Sequence, residues 1–158
     1  MSVPLSAILL SVVPISELRG GIPAAICAGS GWWEAFLICS LFNILVVIPV
    51  FFFLEYLNKY LLKIKFYRRF FERKVENARK KVKPGIDKYG YLGLALFVGI
   101  PLPFTGAYTG TLAAWVLGMD KKKAFFAIAL GVLMAGAIVT IVSELGINSL
   151  RIFVKNVC

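Results

Sequence analysis

Apolar residues fall into four blocks along the chain, roughly residues 2–28, 35–57, 89–118 and 124–143, separated by short polar turns and one long basic stretch. Blocks two and four are continuous. Each has about 20 uncharged residues at its centre, the length a helix needs to cross a hydrocarbon core. Blocks one and three are interrupted, the first by Pro14, Gly20, Gly21 and Pro23 and the other by Pro101, Pro103, Gly106 and Gly110. Proline removes an amide donor and clashes with the preceding turn, so each broken block predicts two half-helices joined by irregular backbone. Such backbone persists at membrane depth only when it is buried in protein or lines a polar cavity.

The halves of the chain resemble each other in the order of these features. A shift of roughly 86 positions brings Val13-Pro14 near Ile100-Pro101 and Gly20 onto Gly106, and about three more bring Gly29 onto Gly118 and Glu34-Ala35-Phe36 onto Lys123-Ala124-Phe125. Each half therefore reads as a broken block, a short polar turn and a spanning helix. Between them, Ile64, Tyr67, Phe71, Val75, Ala78 and Val82 recur at spacings of three and four among lysines and arginines. That spacing predicts an amphipathic helix, and its tether between membrane segments makes anionic headgroups a nearer partner than nucleic acid.

Composition agrees with a membrane protein. Of the 158 residues 59% are hydrophobic and 16% charged, and the mean hydropathy of +0.83 is too high for a soluble domain of this length. With no histidine, and with Cys27, Cys39 and Cys158 lacking metal-ligand spacing, the chain offers no zinc site, histidine triad or disulfide framework. The expectation is a single membrane domain over 1–158 that is not an enzyme and needs no cofactor or metal. Cys27 and Cys39 read as buried packing residues. Glu17 and Arg19 interrupt the first block and no basic region precedes it, so a cleaved signal peptide is not expected. Ile26 before Cys27 argues against a lipoprotein site.

Charge sets the topology. The net charge of +10 is concentrated in residues 59–88 and in Lys121, Lys122 and Lys123 beside Asp120. If block three crossed the membrane, these clusters would lie on opposite sides, against the positive-inside tendency. If it is re-entrant, residues 59–88 and 119–123 both face the cytoplasm. The turn Gly29-Ser30-Gly31-Trp32-Trp33-Glu34 then lies outside with its tryptophans at the interface. The single crossing by block two inverts the second repeat, so two re-entrant hairpins enter from opposite faces. The predicted fold is thus all-α and integral to the membrane. It has two inverted repeats, re-entrant 2–28 with spanning 35–57 and re-entrant 89–118 with spanning 124–143, joined by the basic helix 59–88.

Glu17 and Arg19 are the only charges in the first broken block, where a charge faces a cavity or a partner. The run from Ser16 to Pro23 reads as the hairpin tip. There the amides of Gly20 and Gly21 and a half-helix N-terminus favour an anion, Arg19 offers a planar fork of donors, and Glu17 can exchange a proton. A Glu17–Arg19 ion pair, or partners on other helices, that only close the loop are the structural alternative. The opposing tip, Pro101 to Thr111, is uncharged. Its Thr105, Gly106, Tyr108 and Thr109 suit a neutral donor set around an oxyanion, and Gly106 and Gly110 equally suit close helix packing. Asn43 reads as an interhelical hydrogen bond, and Glu144 as the outer end of block four.

The run Pro14-Ile15-Ser16-Glu17-Leu18-Arg19-Gly20-Gly21-Ile22-Pro23, with Pro101-Leu102-Pro103-Phe104-Thr105-Gly106-Ala107-Tyr108-Thr109-Gly110, resembles the small multidrug export protein family, which is similar to the DedA superfamily. The resemblance covers nearly the whole chain. It implies paired re-entrant hairpins, inverted repeats and secondary transport, with DedA relatives regarded as proton-driven flippases of polyprenyl-phosphate lipids. Glu17 and Arg19 are the matching acidic and basic residues, and the second tip lacks the arginine usual in DedA proteins. Three functions follow as expectations: a flippase for a lipid-linked phosphate with Arg19 at the head group and Glu17 coupling protons, an exporter of lipophilic cations with Glu17 as counter-charge, and a non-transporting scaffold. Homo-oligomers in the membrane are compatible with any of them.

In a chain with its native cysteines replaced, a cysteine at Gly31 is expected to react with an impermeant reagent from outside, and one at Lys122 from inside only. Labelling of both from one face would contradict the inverted repeat.

Overall fold

The computed structural model describes residues 3–57, 63, 71–73, 75, 76, 80, 86, 88–102 and 105–153, and no strand occurs among them. Six helices carry the fold: α1 (Leu5–Val12), α2 (Glu17–Cys27), α3 (Trp32–Phe52), α4 (Tyr91–Gly99), α5 (Ala107–Val116) and α6 (Lys121–Phe153). A π-helical turn, Phe53–Leu57, continues α3 a few residues beyond Pro49. Two stretches, Trp32–Tyr56 and Lys121–Gly146, are long and apolar enough to cross a membrane, with hydropathies of 2.7 and 2.6. The helices α1, α2, α4 and α5 have 8, 11, 9 and 10 residues. Each is about half the length of a membrane-spanning helix. Most of the predicted basic helix 59–88, including Ile64, Tyr67, Ala78 and Val82, lies outside the described residues. Within it Phe71 is helical, and its ring meets Trp115 edge-on at 6.2 Å.

Local backbone structure recurs in the two halves. Val13 and Ile100, each preceding a proline, adopt extended ψ values of 131° and 115°, and end α1 and α4. Proline's ring disfavours helical backbone in the residue before it. The later turns also match. Ser30 N donates to Ala25 O at 3.1 Å and Gly29 N to Ile26 O at 3.0 Å, while Met119 N donates to Ala114 O at 3.0 Å and Gly118 N to Trp115 O at 3.1 Å. Gly29 and Gly118, with φ of 86° and 64°, supply the left-handed residue that this helix ending requires. Helices α3 and α6 then start alike, Ala35 N on Gly31 O and Ala124 N on Asp120 O. Asp120 adds an N-cap, its Oδ1 accepting from Lys123 N at 3.0 Å.

The chain forms two compact units, Met1–Asn43 with Leu133–Cys158 and Ile44–Val132. The first unit holds α1, α2, the start of α3 and the end of α6. Here α2 folds back along α1, so that a Cβ on Gly21 would strike the Ser11 hydroxyl and lie 2.9 Å from Ala7 O. Gly136 of α6 similarly admits Ser40 and Phe36 of α3, whose atoms lie 2.7 and 3.0 Å from its Cβ position. The second unit holds α4, α5, the end of α3 and the start of α6. Val98 of α4 is its wedge: a Cβ on Gly110 of α5 would stand 2.5 Å from Val98 Cγ2, and one on Gly131 of α6 would stand 2.7 Å from Val98 Cβ. Leu94, Val98, Ile128 and Val132 are buried in this unit.

Two expectations need correction. Gly20, Gly21 and Pro23 are not the first hairpin's tip; all three lie inside α2, and the break is Val13–Ser16. The glycines are used for close approach to Ser16 and Ser11, and that packing outweighs their poor helix propensity. Cys39 is buried and free, but Cys27 is exposed and disulfide-bonded rather than inert. Glu144 stands near the end of the apolar stretch Lys121–Gly146, as expected, while α6 itself continues to Phe153.

Gly131→Val should force a side chain against Ala95 O, 2.6 Å from the Cβ position, and lower stability by about 1–3 kcal/mol. Gly146→Ala, where a Cβ meets nothing within 4 Å, should not destabilise. Thermal melting in detergent compares the two, and equal midpoints would contradict the packing.

Candidate functional site

Residues Ser16, Glu17, Arg19, Gly20 and Gly21 come together where α1 gives way to α2. The turn is tight because Ser16 N and Glu17 N both donate to Val13 O, at 3.1 and 3.0 Å. Glu17 enters α2 with φ of 47°, the only non-glycine residue of positive φ among those described. This left-handed geometry is costly for a residue with a Cβ, and a fold retains it only where surrounding contacts over-determine it. The Glu17 side chain is held inside, with the residue 8% exposed. Gly20 N donates to Ser16 O at 3.3 Å, so it is engaged in the first turn rather than open to a ligand.

Arg19 is partly buried and makes no ion pair among the described residues. Of the structural alternatives, the Glu17–Arg19 bridge is not formed, while Glu17 has a partner of its own. A cation in this setting carries a desolvation cost that an anion offering two oxygens to its guanidinium would offset. Pro23 adds a further polar group, since its missing amide frees Arg19 O from the helical ladder.

Two side chains outside the predicted site hold this region. The Ser11 hydroxyl donates to Ala7 O at 2.9 Å, and Asn43 Nδ2 donates to Ser11 O at 2.7 Å. Asn43 forms the interhelical bond its place in an apolar helix suggested. Its partner could not be read from sequence, because a backbone carbonyl leaves no mark there.

Thr105, Gly106, Tyr108 and Thr109 lie in the second unit at the start of α5; Pro103 and Phe104 lie outside the described residues. Thr105 works on its own loop. Its hydroxyl lies 2.6 Å from Ile100 O and 2.9 Å from Leu102 O, and it accepts from Leu102 N at 3.1 Å. A hydroxyl has one proton, so it serves these two carbonyls in alternation. Gly106 caps α5, its carbonyl accepting from Gly110 N at 2.8 Å. Tyr108 and Thr109 are partly buried, and Thr111 is buried with its hydroxyl on Ala107 O at 2.6 Å. Gly110 takes the packing role considered for it, against Val98. At the far end of this unit Lys121 pairs with Glu55 of the π-helical turn, and Asp120 N donates to the Tyr91 hydroxyl at 3.3 Å. No cluster of acidic, histidine or cysteine side chains suited to a metal occurs among the described residues.

A family model described as "Putative small multi-drug export protein" matches residues 17–138, from the first turn of α2 into α6. No curated protein and no solved structure matches the chain. The matched region holds Glu17, Arg19, both Schellman turns and the loop around Thr105, and with most of its length covered the chain belongs to the small multi-drug export protein family.

Proposed function

We propose that the protein is a proton-coupled membrane transporter that moves an amphipathic anion, a lipid-linked phosphate, between leaflets. Arg19 binds the head group, and Glu17 couples its movement to protons. The observation that carries this reading is the partly buried Arg19, which makes no ion pair among the described residues, two positions after the buried Glu17. The family's description as an exporter supports the transporter class. The DedA resemblance supplies the lipid-phosphate cargo.

A re-entrant, inverted arrangement is part of the proposal. Its support is that α1 and α2 fold back on each other, and that each unit combines one hairpin with parts of both long helices. Asn43, which meets the end of α1, is about 17 Å along α3 from Trp32 at 1.5 Å per residue. That is about half of a hydrocarbon core. Residues 59–88 and 119–123 face the cytoplasm in this arrangement, where their lysines and arginines meet anionic headgroups.

Export of a lipophilic cation is the second reading. It fits the family description equally well, and the burial of the Glu17 carboxyl favours it specifically.

Arg19→Lys keeps the charge and loses the fork, so affinity for a polyprenyl phosphate should fall about tenfold, and further in Arg19→Ala. Titration of detergent-solubilised protein measures this, and parental affinity in both variants would refute the anion site. Glu17→Gln should retain phosphate binding while accumulation driven by a pH gradient in proteoliposomes disappears. Full pH dependence in a folded Glu17→Gln protein would remove Glu17 from coupling, and loss of binding of a lipophilic cation in that variant would favour the second reading.

A further inference from the structure

Helix α1 ends with a carbonyl, that of Ser11, which the backbone following it does not serve. In an unbroken helix the amide of residue 14 would reach Leu10 O and that of Ile15 would reach Ser11 O. Position 14 is proline, which has no amide, and the chain beyond it has turned so that Ser16 N and Glu17 N go to Val13 O. The Ser11 carbonyl receives its donor from Asn43 Nδ2 at 2.7 Å, with Ser11 and Asn43 at 0% and 1% exposure. The break before α5 closes from within, through the Thr105 hydroxyl on Ile100 O. The residue that stands to Gly118 as Asn43 stands to Gly29 is Val132, whose side chain can donate nothing. The two breaks are therefore secured differently, one by a neighbouring long helix and the other by its own loop.

We infer that Asn43 is a positioning residue: by holding the Ser11 carbonyl it fixes the break Val13–Ser16 against α3 and sets where Glu17 and Arg19 stand. Ser11 is the junction. Its carbonyl is held by α3, its hydroxyl returns to Ala7 O, and its side chain occupies the space that Gly21 of α2 leaves open. A bond to one carbonyl thus ties the end of α1 and the second turn of α2 to the middle of α3. Glu17 and Arg19 lie between the tied points, and the strained φ of Glu17 follows the break directly. The ligand arm of this inference rests on the reading of Arg19 as the head-group residue; the backbone arm does not.

The test uses the full chain in detergent with Asn43→Leu, which keeps the branching at Cγ and has no donor, and with the smaller Asn43→Val where the leucine variant does not fold. Hydrogen exchange should be at least tenfold faster over residues 12–20 than in the parent and unchanged over 28–36. In parallel, geranylgeranyl phosphate is titrated against parent and Asn43→Leu, each with and without Arg19→Lys. The account expects about tenfold weaker binding in Asn43→Leu and no further loss on adding Arg19→Lys, because a displaced arginine has no fork geometry left to lose. Unchanged exchange would overturn the inference. Faster exchange with the full Arg19→Lys penalty retained would also overturn it, leaving Asn43 a structural tie alone. A parent that binds no phosphate would refute the head-group reading, and the exchange ratio would then decide Asn43 by itself.

Discussion

The constraint on which the structure turns is the supply of hydrogen-bond donors where a helix stops among apolar surroundings. Pro14 and Pro101 end α1 and α4 by forcing the preceding residue into extended backbone, and each ending exposes carbonyls that water would serve in a soluble protein. Within a bilayer an unmet carbonyl costs several kcal/mol. The chain meets this cost with three devices: Val13 O takes two amides, Thr105 turns its hydroxyl on its own loop, and Asn43 crosses from α3 to Ser11. Hairpins of half-length helices are stable only because these donors are present.

Close approach is the second requirement, and glycine supplies it. Gly21, Gly110, Gly131 and Gly136 each stand where a Cβ would collide with a neighbouring helix. In the first unit α2 lies against α1 and α6 against α3, and in the second α4 lies against α5 and α6, at distances at which a single methyl group is felt. The second arrangement lets Val98 wedge between α5 and α6. The same packing keeps Gly20 and Gly21 helical despite their propensity, which leaves Arg19 on a helical turn with no ion pair among the described residues.

Much of the fold was legible from residues whose effect is local. Pro14 and Pro101 marked both breaks, the short polar turns fell where Gly29 and Gly118 end α2 and α5, and the unbroken apolar runs located α3 and α6. Features that depend on a distant partner were not legible. Gly20, Gly21 and Pro23 carry a strong turn signal, and only the presence of Ser11 and Ser16 beside them explains why they form helix. Cys27 was read by the habit of free cysteines, which fails when the thiol is oxidised. In the candidate site, Glu17 and Arg19 stood out as charges in an apolar block, but the pairing considered between them needed geometry to dismiss. The Thr105 hydroxyl was read as a free donor because the sequence does not reveal which carbonyls its own loop leaves unmet.

The central claim is that the first broken block folds back instead of crossing. A distance between spin labels at Leu5 and Ala28, measured by double electron–electron resonance in nanodiscs on a chain otherwise free of cysteine, tests it most directly. Both positions are exposed at the outer ends of α1 and α2. A folded-back hairpin predicts a separation below about 20 Å, whereas a block crossing the membrane as one helix at 1.5 Å per residue would give about 35 Å. A narrow distribution at the short distance is the expected result, and one centred at the long distance would contradict the account.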